Sequence, residues 1–303
     1  MTFQIEDIPK QDGRIAIVTG ANSGLGYETA LGLAQTDMKV IMACRNAQKG
    51  SEAKQEIEKT YAQADLEVMT IDLGSLKSIR SFAKTFQEKH DRLDLLINNA
   101  GIMIPPFSKT VDGFESQMGV NYFSHFLLTN LLFPMLDKTE GSRIVSLSSI
   151  AHEKGKIDFE NLNAGQRYSR IEAYQQSKLA CLMFAIELQR RIDKSGKKVL
   201  SVAAHPGVSG TNLGRFIPKF LYLLAWPFMI FMAHSPQKAA LPTLMAALKP
   251  NVKGGEYYGP QGFRGMKGKP NLTEPEPHAL DKEVAKRLWE VSEELTGETF
   301  DFK

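Results

Sequence analysis

The sequence predicts an α/β fold: a doubly wound parallel sheet of about seven strands with helices on both faces, in one domain over residues 1–303. Two observations predict it. Short apolar runs alternate with stretches of helical periodicity along nearly the whole chain, the pattern of repeated strand–helix–strand units. The apolar runs are also continuous rather than alternating, so each strand must be covered on both faces. With 303 residues, 43% of them hydrophobic and 23% charged, the chain is long and apolar enough to bury such a core.

The elements follow in order. Residues 14–19 read as strand one and 28–35 as the helix after it. Strand two is 39–44, followed by a charged helix over 47–61. Strand three is 66–71, with a helix over 76–89. Strand four is 93–98, and a long helix follows over 113–136. Strand five is 142–147, strand six 198–203, and 256–258 is a short seventh. The proline-rich stretch 270–277 reads as a surface connection, and 281–295 as a last helix docked through Val284, Leu288 and Val291. In such a sheet the ligand site lies beyond the strand C-termini, where the strand order reverses.

Charge and composition narrow the function classes. The net charge is +3, and the densest basic run, 190–198, falls where a helix ends and cations are favoured. No aromatic residues interleave it, so the sequence implies no nucleic-acid partner. The two cysteines, Cys44 and Cys181, and the scattered histidines have no metal-ligand spacing. The first residues carry early acids and no apolar stretch, so no signal peptide is expected and a reducing, cytoplasmic setting is the default. The lipophilic segment 216–233 approaches the length of a membrane span, but Pro218, Lys219 and Pro227 interrupt it. It reads as buried helices with an apolar substrate lid near 208–240, or as a peripheral membrane contact.

Five clusters follow the strand ends at the predicted ligand edge. Strand one ends in Thr19-Gly20-Ala21-Asn22-Ser23-Gly24-Leu25-Gly26, with a helix directly after it. Glycines there permit positive φ and close approach, and the helix N-terminus offers free N–H groups to a pyrophosphate. Strand two ends in Cys44-Arg45-Asn46; an acid near this place binds a ribose 2′-hydroxyl, whereas arginine suits a 2′-phosphate, so Arg45 favours NADP(H). Asp72 follows strand three, placed either to accept from an adenine amino group or to cap the next helix. Asn98-Asn99-Ala100-Gly101 follows strand four, where the asparagines either bind cofactor or brace strands. After strand five, Tyr174 and Lys178 stand four residues apart on one helical face. A cation beside a phenol favours the phenolate, and such a tyrosine can exchange a proton near neutral pH.

Taken together these residues resemble the short-chain dehydrogenase/reductases, single-domain Rossmann proteins. The markers appear in order: Thr19-Gly20-xxx-Gly24-x-Gly26, Asp72-Leu73, Asn98-Asn99-Ala100-Gly101, Asn121, Ser149, Tyr174-xxx-Lys178 and Pro206-Gly207. The text from Asn121 to Thr129, with Ser148-Ser149-Ile150-Ala151-His152 and His205-Pro206-Gly207-Val208, is similar to the retinol dehydrogenase and WW-domain oxidoreductase branch. The resemblance implies that Tyr174 is the acid/base, that Lys178 holds the nicotinamide ribose and favours the phenolate, that Ser149 bonds the substrate carbonyl, and that Asn121 holds a water in a proton relay. It further implies cofactor contacts from Gly20, Asn22, Ser23, Gly24, Leu25, Gly26, Arg45, Asn46, Asp72, Leu73, Asn99, Ala100, Gly101, Pro206, Gly207, Val208 and Thr211. Ser149 is preferred over Ser148 as the second serine of its motif. The interval from Ser149 to Tyr174 is longer than in many members, with a polar excursion over 155–170. The implied activity is NADP(H)-dependent interconversion of a carbonyl and an alcohol on an apolar, retinoid-like molecule, with no metal. A C=C reductase on the same fold and a cofactor-sensing interaction protein are the competing readings. Many relatives pair through the helices near 113–136 and 170–193, so a homodimer is an open expectation.

Overall fold

Strand β1 (Ile15–Thr19) lies at the centre of an eight-stranded sheet in the computed structural model, which describes residues 3–209 and 234–302. After it come α1 (Gly24–Ala34), β2 (Lys39–Cys44), α2 (Ala47–Thr60), β3 (Leu66–Thr70), α3 (Leu76–Lys89) and β4 (Leu95–Asn98). A short α4 (Ser116–Met118) runs through a π turn (Gly119–Phe123) into α5 (Ser124–Lys138). The chain continues through β5 (Arg143–Leu147), a 3-10 turn (Ile150–Lys154), α6 (Arg170–Ser195) and β6 (Leu200–Ala204). It ends in α7 (Pro236–Leu248), β7 (Tyr257–Pro260), β8 (Pro270–Thr273) and α8 (Lys282–Thr296).

The strand order is β3-β2-β1-β4-β5-β6-β7-β8, with β1 to β7 parallel and β8 antiparallel to β7. The order reverses between β1 and β4, which places the predicted crevice above their C-terminal ends. The continuous apolar runs are explained by the layers. Ile15, Ile17, Ile41, Leu96 and Ile144 point into a core shared with α3, α5, α6 and α8. Their neighbours Ala16, Val18, Val40, Met42, Ile97 and Val145 point the other way, into a core shared with α1, α2 and α7. Successive residues of a strand face opposite sides, so a strand covered twice must be apolar throughout.

Helix ends follow local chemistry. Asn46, Ser75, Ser169 and Asp281 each accept an amide bond at the start of α2, α3, α6 and α8. Gly196 and Gly297 close α6 and α8 in the left-handed region. Three elements depart from the sequence expectation. Helix α1 starts at Gly24, before the expected 28, because two glycines in its first turn hide its helical pattern. The expected helix over 113–136 begins at Ser116 and contains the π turn. The stretch read as a surface connection contains β8, an edge strand that tolerates proline at its first residue, Pro270.

Candidate active site

The glycine-rich turn is built around absent side chains. Gly20 and Gly24 have φ of +70° and +56°, which L side chains rarely adopt. A Cβ on Gly26 would overlap the Gly20 carbonyl and lie 2.6 Å from Asn99 Nδ2. Ser23 stands at the N-cap of α1 without a side-chain cap bond. The first-turn amides of α1 therefore face the crevice without a capping side chain, the arrangement a phosphate needs. Beside it, Arg45 is exposed at the end of β2, and Asn46 Oδ1 accepts from Lys49 N at 2.9 Å. Asn46 thus spends its side-chain oxygen on capping α2.

Asp72 and the two asparagines all bond within the protein. Asp72 Oδ1 accepts from Gly74 N at 2.9 Å, while α3 is capped by Ser75, whose Oγ accepts from Ser78 N at 3.3 Å. Leu73 is buried in the core. Asn98 Nδ2 donates to Thr129 Oγ1 at 2.9 Å, and Asn99 Nδ2 donates to Thr19 O at 2.7 Å. Both asparagines tie the C-terminal edge of β4 to its neighbours. Ala100 and Gly101 follow on that edge; a Cβ on Gly101 would sit 3.2 Å from Asn121 Oδ1 and 3.5 Å from Lys178 Nζ.

Asn121 lies in the π turn and is buried. The π register is visible in Ser124, whose amide bonds Gly119 O five residues back. Asn121 Oδ1 accepts from Ile102 N at 2.8 Å, and its Nδ2 donates to Ile102 O at 3.0 Å and Ser177 Oγ at 2.9 Å. Ser177 in turn donates to Tyr174 O at 2.8 Å. Asn121 therefore joins the strand edge to α6. Its own carbonyl accepts from His125 Nδ1 at 2.9 Å and Cys181 Sγ at 3.2 Å.

Helix α6 presents Tyr174 and Lys178 to the same edge. Both are nearly buried, and Lys178 Nζ lies 6.0 Å from the Tyr174 ring centroid. Lys178 Nζ donates to Leu147 O, the last residue of β5, at 3.0 Å. The two serines after it differ. Ser148 is buried and donates to Lys178 O at 2.8 Å. Ser149 is half-buried and accepts from Ala151 N at 3.2 Å, so its proton is free for a ligand. The polar excursion over 155–170 folds back onto α4. Glu115 N donates to Asn163 Oδ1 at 3.1 Å, Gln117 Nε2 to Tyr168 Oη at 3.2 Å, and Tyr168 Oη to Pro105 O at 2.9 Å.

After β6, Gly207 has φ +71° and its Cβ position is filled by Met266 O. Val208 N donates to Met266 O at 2.7 Å, so Pro206, Gly207 and Val208 are held against the C-terminal segment. Thr211 and the segment 216–233 lie outside the described residues. Sequence reasoning gave no role to His125, Cys181 or Ser177, which surround Asn121. Their signal was available as helical spacing, four residues after Asn121 and on either side of Lys178.

A parallel sheet with a glycine turn at its switch point and a Tyr/Lys pair on the helix after β5 defines a nucleotide-dependent oxidoreductase. The chain belongs to the short-chain dehydrogenase family, which its sequence matches over residues 14–220, and within it to the retinol dehydrogenase branch. It is 43% identical to mouse (Mus musculus) retinol dehydrogenase 13 over 292 residues, 94% of this chain and 84% of that protein. It is 41% identical to mouse retinol dehydrogenase 11, over 96% of this chain and 88% of the relative. Among solved structures, an uncharacterized protein from Mycobacterium Paratuberculosis superposes with a TM-score of 0.83 at 39% identity, covering 99% of this chain and all of that one. Among the described residues no helix is long and apolar enough to cross a membrane.

Proposed function

We propose that this chain is an NADP(H)-dependent oxidoreductase that interconverts a carbonyl and an alcohol on an apolar small molecule. The observation that carries the reading is the placement of the Tyr174/Lys178 pair on α6, with Lys178 Nζ bonded to the end of β5 at Leu147 O and beside Gly101, and Ser149 two residues after Leu147. The glycine turn would hold the pyrophosphate, and Arg45, exposed at the end of β2, supports the 2′-phosphorylated form. Gly207 and Val208 would border the nicotinamide end, with Thr211 on its carboxamide. The apolar substrate class is supported by the retinol dehydrogenase relatives, whose names give an apolar alcohol.

The chain's own residues would act as follows. Ser149 and Tyr174 would donate to the substrate oxygen, polarising the carbonyl and fixing the orientation of its carbon for hydride transfer. Tyr174 passes its proton to that oxygen on reduction and takes it back on oxidation. The Lys178 ammonium, fixed on Leu147 O, offsets the charge left on the phenol oxygen and holds the ribose. Asn121 keeps α6 in register with the strand edge through Ile102 and Ser177. The bound nicotinamide supplies or accepts the hydride.

In this reading residues 1–303 work as one dinucleotide-binding domain, with a substrate lid near 208–240 and a C-terminal extension from 260. The segment 216–233 would meet substrate or a membrane surface, a choice that liposome cosedimentation decides. Sizing in solution tests pairing of two copies. The reading itself is tested by NADPH against NADH oxidation with aldehydes and ketones of increasing chain length. Tyr174→Phe is expected to bind NADPH normally and to lose turnover by at least ~10²-fold; near-normal carbonyl reduction by that variant would sink the mechanism.

A further inference from the structure

A buried histidine sits between the cofactor edge and the π turn. His125 is 4% exposed, one helical turn after Asn121 on α5. Its Nδ1 lies 2.9 Å from Asn121 O, and its Nε2 lies 2.9 Å from Thr19 Oγ1. A carbonyl only accepts, so Nδ1 carries the proton. Burial, and the Lys178 ammonium after it, pull His125 down to about 4, against the raising bond to Asn121, so the ring is neutral near pH 7. Nε2 is then an acceptor, and the Thr19 hydroxyl donates to it at 2.9 Å rather than to the more distant Ile97 O at 3.3 Å. Thr19 Oγ1 itself accepts from Asn99 N and Ala100 N, both at 2.9 Å. Every donor in the line therefore points one way, from the amides of Asn99 and Ala100 through Thr19 and His125 to the carbonyl of Asn121.

We propose that His125 is a positioning residue that couples the Thr19–Asn99–Ala100 cofactor edge to Asn121, and through Asn121 and Ser177 to the Tyr174/Lys178 pair. The coupling rests on the function proposed above for that pair. The π turn makes it useful. A π register is a local departure from the helical ladder, and the side-chain bonds of His125 and Cys181 hold the Asn121 carbonyl within it. Asn121 spans Ile102 and Ser177, so a slip of this turn would move α6 against the strand edge. Misplacement of reacting groups by about 1 Å can cost ~10²-fold in rate.

Two substitutions separate the two ends of the coupler. An asparagine amide reaches the place of Nδ1 and can keep the bond to Asn121. A glutamine amide reaches the place of Nε2 and can keep only the bond to Thr19. Each variant cuts one end of the line, so His125→Asn and His125→Gln are each expected to lower kcat by ~10-fold or more, with the NADPH Kd of both changed less than ~3-fold. Nitrogen-15 NMR of the unsubstituted protein is expected to show a protonated Nδ1 and a bare Nε2 on a ring that stays neutral down to about pH 5. Parental kcat in either variant, or a protonated Nε2, would overturn the proposal. The tautomer is read without turnover and without any variant. If Tyr174→Phe keeps its turnover, the functional reading fails while the tautomer still decides the coupler.

Discussion

Ser148 and Ser149 are adjacent in sequence and opposite in duty. Ser148 Oγ donates to the Lys178 carbonyl and so pins α6 against the end of β5. Ser149 accepts a turn amide and keeps its own proton for a ligand. Ser149→Ala is expected to lower kcat by ~10²-fold, the usual loss for one donor to a developing oxyanion, with NADPH binding intact. Ser148→Ala removes a buried neutral hydrogen bond and is expected to cost about 1 kcal/mol of stability, with a smaller effect on kcat. Steady-state kinetics and urea unfolding on both variants check the assignment, and the reverse pattern would refute it. Arg45 gives a second test. Arg45→Glu puts a carboxylate where a 2′-phosphate would bind, and is expected to raise KM for NADPH ~10-fold or more while sparing NADH. The places of both residues, just after a strand end, were legible in the sequence. The bonds of Asn98 to Thr129 and of Asn99 to Thr19 were not, because an amide serves a ligand or a backbone equally well.

At the scale of elements, strands β1 to β7 were legible to within about two residues, and the helix that holds Asn121 was not. A π turn adds one residue to a helix already apolar on most sides, as 123–133 is here, so the periodicity shows no break. Strand β8 was missed for the opposite reason, since its prolines read as a turn while an edge strand tolerates them. The C-terminal helix α8 was legible through its apolar stripe, but its chief anchor was not among the positions singled out. Trp289 is 1% exposed, stacked on Phe184 and edge-on to Phe126, with the Arg191 guanidinium 4.3 Å from its ring centroid. The Trp289→Ala substitution is expected to destabilise the protein by about 3–5 kcal/mol, the range for truncating a buried aromatic. Urea unfolding measures this, and a loss below ~1 kcal/mol would mean that α8 contributes little to the core.

For the whole molecule, the strand order placed the crevice before any side chain was considered, and the fold then buries histidines beneath it. His125 is pulled down to about 4 and His205 to about 3, in both cases first by burial. His152 and His234 are lowered as well, again first by burial. An unfolded histidine titrates near ~6.5, so below that pH the unfolded chain binds protons that the folded chain refuses. The stability these residues contribute is complete above pH ~6.5 and is lost as pH falls through the window down to the folded values. For His125 alone the loss is on the order of 3 kcal/mol by pH 4. Glu115 works in the opposite sense. Burial raises it against the amide bonds of Gln117 and Met118, so acidification relieves it, one carboxyl against four lowered histidines. Urea midpoints taken from pH 8 to pH 4.5 are therefore expected to be level down to about 6.5 and to fall steadily below it. Replacing His205 by glutamine, which cannot charge, is expected to flatten that decline. A parental profile unchanged between pH 6.5 and 5 would mean that these rings are solvated as the protein works, and would remove the neutral imidazole on which the coupling of Thr19 to Asn121 depends.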